Sequence, residues 1–79
     1  MTKDEDILEA AIIAQLNAEI AAAGLSMMDI ARLTGRPYDS TRNYLKRERA
    51  INLKTFLDIC DALKISPDIV IRRARERID

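Results

Sequence analysis

Histidine and tryptophan are absent from this chain of 79 residues, and cysteine occurs once, at Cys60. A lone cysteine forms no intrachain disulfide, and without histidine a zinc site lacks its usual ligands. No metal is therefore expected. Glycine and proline occur twice each, which leaves little room for a β fold rich in turns. No apolar run approaches the ~18 residues that span a bilayer, so no membrane segment is expected. The N-terminus is acidic (Asp4, Glu5, Asp6) and has no basic leader, so no secretory signal is expected either. With the unpaired cysteine, this points to the cytoplasm. The chain also lacks a glycine-rich phosphate loop and any nucleophile paired with a base. Neither catalysis nor a cofactor is expected.

What is present is helical material. Apolar residues make up 48% of the chain, enough for one small core over residues 1–79. Ala, Leu, Ile, Arg, Lys and Glu dominate, and these favour helices. The expected class is all-α, a compact five-helix domain.

Net charge is zero, but the charges are segregated. Residues 1–31 carry a net charge of −5, residues 32–54 a net charge of +5, and residues 55–79 balance. The basic middle third holds Arg32, Arg36, Arg42, Lys46, Arg47, Arg49 and Lys54. A local patch, rather than total charge, is what meets phosphates. The plainer reading of such a run is a solvated face.

Start and stop signals divide the chain. Thr2 and Glu5 fit a capping box, and Leu8, Ile12, Leu16 and Ile20, with Ile13 and Ala23, follow at helical spacing up to Gly24. The first helix is expected over roughly 4–23. Ser26 caps a second, about 27–33, with Asp29 at its third position and Leu25 and Ile30 as a hydrophobic staple. Gly35 ends it, and Pro37 fits the first position of a third helix, 37–47. Asn52 caps the fourth, whose stripe reads Leu53, Phe56, Leu57, Cys60 and Leu63. Ser66, Pro67 and Asp68 open a fifth that extends to about Ile78. The expected core is Ile12, Leu16, Ile20, Ile30, Ala31, Leu45, Phe56, Leu57, Leu63 and Ile69.

The informative stretch is 25–44. A short helix, a tight glycine turn and a second, polar and basic helix follow one another. Ala31 stands where the two helices must cross closely, and Gly35 permits a positive φ. This is the layout of a helix-turn-helix, over about 26–47, whose second helix enters the major groove.

Residues 25–70 resemble the phage-repressor and Cro-type (XRE-like) helix-turn-helix domains. The likeness rests on Leu25-Ser26, Asp29-Ile30-Ala31, Thr34-Gly35-Arg36, Ser40, Tyr44-Leu45, and the run from Asp61 to Asp68. It covers 46 of the 79 residues. Four positions depart from the family's habit: Arg36 and Thr41 replace buried aliphatics, and Lys46-Arg47 replaces an Asn-Gly turn. The resemblance implies a lambda-repressor-like fold and a transcriptional repressor or regulator of prokaryotic or phage type, bound to double-stranded DNA. It places base reading on Tyr38, Asp39, Arg42 and Asn43. It places phosphate contacts on Met27 through its backbone N–H, and on Ser40, Lys46, Arg47, Arg49 and Lys54.

The side chains suit those roles. Arginine bonds guanine through two donors, asparagine does the same to adenine, and aspartate accepts from a cytosine amine. Plainer readings stand beside these. Arg42 pairs with Asp39 at i,i+3, or Asp39 serves the helix dipole. Tyr44 belongs to the core, Met27 and Met28 pack, and Cys60 is a small buried hydrophobe.

A single recognition helix reads few base pairs, so a homodimer on a palindromic operator is expected, assembled on DNA if not before. Ile71, Ala74 and Ile78 form a stripe on the fifth helix that suits the dimer contact. The alternative is that this stripe folds back on the first helix. A second function class is also open: an antitoxin-type protein that binds a toxin partner as well as its operator.

Overall fold

A computed structural model describes residues 3–79, with side chains from Ile7 onward. The Thr2–Glu5 capping box lies outside the described residues. Five helices follow in order: α1 Lys3–Ala22, α2 Met27–Thr34, α3 Tyr38–Leu45, α4 Leu53–Leu63 and α5 Pro67–Ile78. No strand occurs among the described residues. No single helix is long and apolar enough to cross a membrane.

Each boundary has a local cause. Ser26 Oγ accepts from the Asp29 N–H at 3.1 Å, and the Asp29 carboxylate accepts from the Ser26 N–H at 2.9 Å. This capping box starts α2 at close to 95° to α1. Asn52 Oδ1 accepts from the Thr55 N–H at 2.8 Å and starts α4. Ser66 begins α5 differently from the expected cap: its hydroxyl donates to the Asp68 carboxylate and leaves the backbone uncapped by a side chain.

Four of the helices end in the same way. Gly24, Gly35, Arg47 and Lys64 all take positive φ after α1, α2, α3 and α4. In each case the next N–H reaches back five residues, as in Leu25 to Ile20 and Arg36 to Ala31. These are Schellman closures, which satisfy carbonyls that the helix end leaves unpaired.

The core gathers Ile13, Leu16 and Ile20 of α1, Ile30 of α2, Leu45 of α3, Phe56, Ile59 and Cys60 of α4, and Val70 of α5. Ala31 is buried as expected, at 4% exposure. The expected register is corrected in three helices. In α1, Ile13 and Ala11 are buried, Ile12 is half-buried and Ala23 is exposed. Apolar residues lie all round this helix, so spacing alone does not select its inner face. In α4 the buried stripe is Thr55, Phe56, Ile59 and Cys60. Leu57 and Leu53 point outward, Leu53 at 71% exposure. In α5, Val70 and Ala74 are buried, and Ile69 is only half-buried. Met28 is exposed and does not pack, whereas Met27 rests against the core. The Cys60 thiol is fully buried, and burial pushes its pKa up to about 11.

Candidate nucleic-acid interface

α3 divides into two faces. Thr41, Tyr44 and Leu45 point inward and are buried. Tyr38, Asp39, Arg42 and Asn43 lie on the opposite side, exposed or half-exposed, and Lys46 continues that line. Ser40 is half-buried at its edge. The helix is shorter than the expected 37–47. Pro37 precedes it with φ −60° and ψ 145°, so it acts as the N-cap rather than the first helical residue. At the other end the chain reverses at Arg47, with φ 61°.

One local bond and one from α1 hold this short helix in place. At its start, the Thr41 hydroxyl donates to the Pro37 carbonyl at 3.1 Å. A hydroxyl thus occupies a position where the resemblance led one to expect an aliphatic, and it finds its partner locally. At its end, Asn17 Nδ2 on α1 donates to the Leu45 carbonyl at 3.0 Å and to the Ile13 carbonyl at 3.1 Å. The sequence reading missed Asn17. Its neighbours Gln15 and Glu19 are polar too, so nothing in the local sequence singles it out.

The connection from α3 to α4 is pinned at both ends. The N–H groups of Glu48 and Arg49 both donate to the Asn43 carbonyl, at 2.8 and 3.2 Å. Asn52 Nδ2 donates to the Tyr44 hydroxyl at 3.3 Å, and the Arg49 guanidinium lies 5.6 Å from the Tyr44 ring centroid. Tyr44 is therefore core and also a support for the basic connection. The structure brings Arg42, Asn43, Glu48 and Arg49 together through this turn.

The basic segment is not uniformly available. Arg36 turns inward and donates to Asp58 at 2.6 Å, with both side chains largely covered. That explains an arginine at a position usually aliphatic: its stem packs and its head is paired. The Arg36 guanidinium holds the Asp58 carboxyl below its usual range. Arg32 pairs with Asp29, whose carboxyl is held low chiefly by the Ser26 N–H. Arg42 pairs with Glu48 at 3.0 Å and not with Asp39. Arg47 stands 3.8 Å from Glu9, and the exposed Lys54 stands 3.5 Å from Asp58. Among the described residues, Lys46 and Arg49 enter no ion pair. Exposed pairs are worth roughly 0–1 kcal/mol, so the two longest of these, at Arg47 and Lys54, exchange readily for phosphate.

Met27 is the first residue of α2, where backbone N–H groups lack helical partners and favour an anion. Its side chain packs on the core, so only the main chain is open to that role.

The expected helix-five stripe is corrected. Ala74 is fully buried inside the monomer, and α5 packs along α1. Arg73 donates to Glu19 at 2.6 Å, and one turn later Arg77 donates to Gln15 at 2.7 Å. Ile78 remains 44% exposed. Ile71 is half-buried and lines an apolar groove of about 420 Å³ with Leu8, Ile12, Ile51, Leu53 and Phe56. The three residues therefore do not share one free surface.

No family model, curated protein or solved structure matches the chain.

Proposed function

We propose that the protein is a sequence-specific binder of double-stranded DNA, a transcriptional repressor of the helix-turn-helix type. In this reading α2, the turn at 35–37 and α3 form the motif, and α3 enters the major groove. One observation carries it: the outer face of α3 presents Tyr38, Asp39, Arg42 and Asn43, and a basic, tightly closed connection follows directly. The burial of Ala31 on α2 agrees with the close crossing that the motif needs. Lys46, Arg47, Arg49 and Lys54 then meet phosphates, as do Ser40 and the backbone N–H of Met27.

Selection of bound sequences from random duplex DNA tests the reading, because it returns either a consensus or none. On the selected duplex, Arg42→Ala and Asn43→Ala each cost about 1–3 kcal/mol and spare the weak binding to random DNA. Arg49→Ala and Lys54→Ala weaken all duplexes alike and reduce the salt slope by about one unit each. Equal losses on both duplexes for Arg42→Ala remove it from base reading.

A homodimer on a palindrome supplies the second half-site, with recognition helices about 34 Å apart. Since Ala74 is occupied within the monomer, the contact is left to the flanks, Ile71 and Ile78. A footprint covering one half-site only removes the dimer. Binding that requires a second protein favours the antitoxin-type reading instead.

A further inference from the structure

We propose that Glu48 is a specificity-determining residue: it positions Arg42 for reading a base and holds it away from the phosphates. The proposal rests on the DNA-binding reading above. The turn after α3 delivers the carboxylate. Arg47 reverses the chain at φ 61°, and the Glu48 N–H donates to the Asn43 carbonyl at 2.8 Å. Glu48 thus lies back along α3, and its Oε2 accepts from Arg42 Nη1 at 3.0 Å across six residues of sequence.

Within residues 40–57 Glu48 is the sole acid, among Arg42, Lys46, Arg47, Arg49 and Lys54. Such a carboxylate opposes the approach of any phosphate, so a surface built only for phosphate is better without it. What it contributes is orientation. A guanidinium carries five N–H donors in a rigid plane. With Nη1 held by Glu48, the Nε–Nη2 edge remains open and presents two parallel donors. That edge matches O6 and N7 of guanine. Freed from Glu48, the long Arg42 side chain reaches for the nearest phosphate oxygen and reads nothing. Glu48 itself touches no base in this scheme; it acts through Arg42.

The test compares wild type, Glu48→Gln, Glu48→Asp, Arg42→Ala and the Glu48→Gln/Arg42→Ala double variant. Each is titrated with the selected duplex and with a random duplex of equal length. Glu48→Gln tightens binding to the random duplex and does not tighten binding to the selected one equally. The ratio of the two affinities falls about tenfold, within the range for one bidentate base contact. Glu48→Asp keeps the charge but not the reach, so the ratio falls through weaker binding to the selected duplex alone. In the Arg42→Ala background, Glu48→Gln raises both affinities by the same factor and leaves the ratio unchanged. An unchanged ratio in Glu48→Gln overturns the proposal, as does an equal fall in the Arg42→Ala background. If wild type prefers no duplex, the DNA-binding reading itself has failed, a result distinct from either of those.

Discussion

Two regions of the molecule carry arginines in similar density and use them in opposite ways. Along the α1–α5 contact, Arg73 and Arg77 are committed to Glu19 and Gln15, over a seam closed by the small side chain of Ala74. Around α3 and the connection to α4, Arg42 alone is held closely, by Glu48 at 3.0 Å, and three other cations are held loosely or not at all. Arg47 is 3.8 Å from its acid, Arg49 leans on a tyrosine ring, and Lys46 enters no ion pair among the described residues. The first arrangement spends its polar groups on holding two helices together. The second holds the backbone firmly, orients Arg42 through Glu48 and leaves the other charges free. A charge count along the sequence does not separate these cases; what separates them is whether each cation meets a partner on a facing helix.

The sharpest way to break this comparison is to charge the closed seam. Ala74→Asp places an unpaired carboxylate at a fully buried position and should destabilise the fold by about 3–5 kcal/mol. Ile78→Asp, four residues on and 44% exposed, should leave stability within about 0.5 kcal/mol. Thermal melting of the two variants decides it. Similar melting for both means that α5 does not depend on α1, and the stripe reading of the fifth helix regains its force.

The next effect is smaller and carries opposite signs for stability and for binding. Arg47 occupies a left-handed position that costs an L-residue roughly 1–2 kcal/mol, and glycine closes the first two helices at the equivalent place. Arg47→Gly should therefore raise the unfolding free energy by about 1 kcal/mol. On the proposed function it should also weaken binding to every duplex alike, since a phosphate contact is lost. A gain in stability with no change in DNA affinity takes Arg47 out of the interface and leaves its strained cation without a role.

Much of this arrangement was legible beforehand because it depends on local chemistry. Ser26, Asp29, Gly35 and Asn52 act within three or four residues of themselves, and their spacing reveals them. The inward faces of α4 and α5 were less legible. Leu57 and Ile59 are equally apolar, and only the position of the neighbouring helices selects Ile59. Thr55 stands outside the expected stripe of α4 but is buried; Thr41, at a position the resemblance marks as buried, reaches the Pro37 carbonyl at 3.1 Å. At the candidate site, the outward residues of α3 came from the family resemblance. The partners of its side chains did not. Asn17 reaches Leu45 from 28 residues away, and Glu48 displaces Asp39 as the partner of Arg42 only because Arg47 turns the chain back. Those contacts are products of tertiary geometry, and no short-range pattern announces them.

The smallest predicted effect tests the committed side of the comparison through pH. The Arg73 hydrogen bond, supported by Gln15, holds the Glu19 carboxyl below its ordinary value of 4.5. A carboxylate whose folded pKa is lowered binds protons more readily when unfolded. Its contribution to stability is therefore complete above pH 4.5 and disappears as pH falls through the lower, folded value. Glu19→Gln should flatten part of the acid limb of the melting curve and change little at neutral pH. The limb does not vanish, because Asp29, Asp58 and Asp68 are lowered in the same direction. Affinity for DNA at neutral pH should be untouched by this variant, since Glu19 belongs to the α1–α5 seam and not to α3. An acid limb identical to wild type shows that the Arg73–Glu19 pair contributes nothing measurable. A loss of DNA binding in the same variant shows that the two regions are coupled, and the contrast between a committed seam and a free basic face then fails.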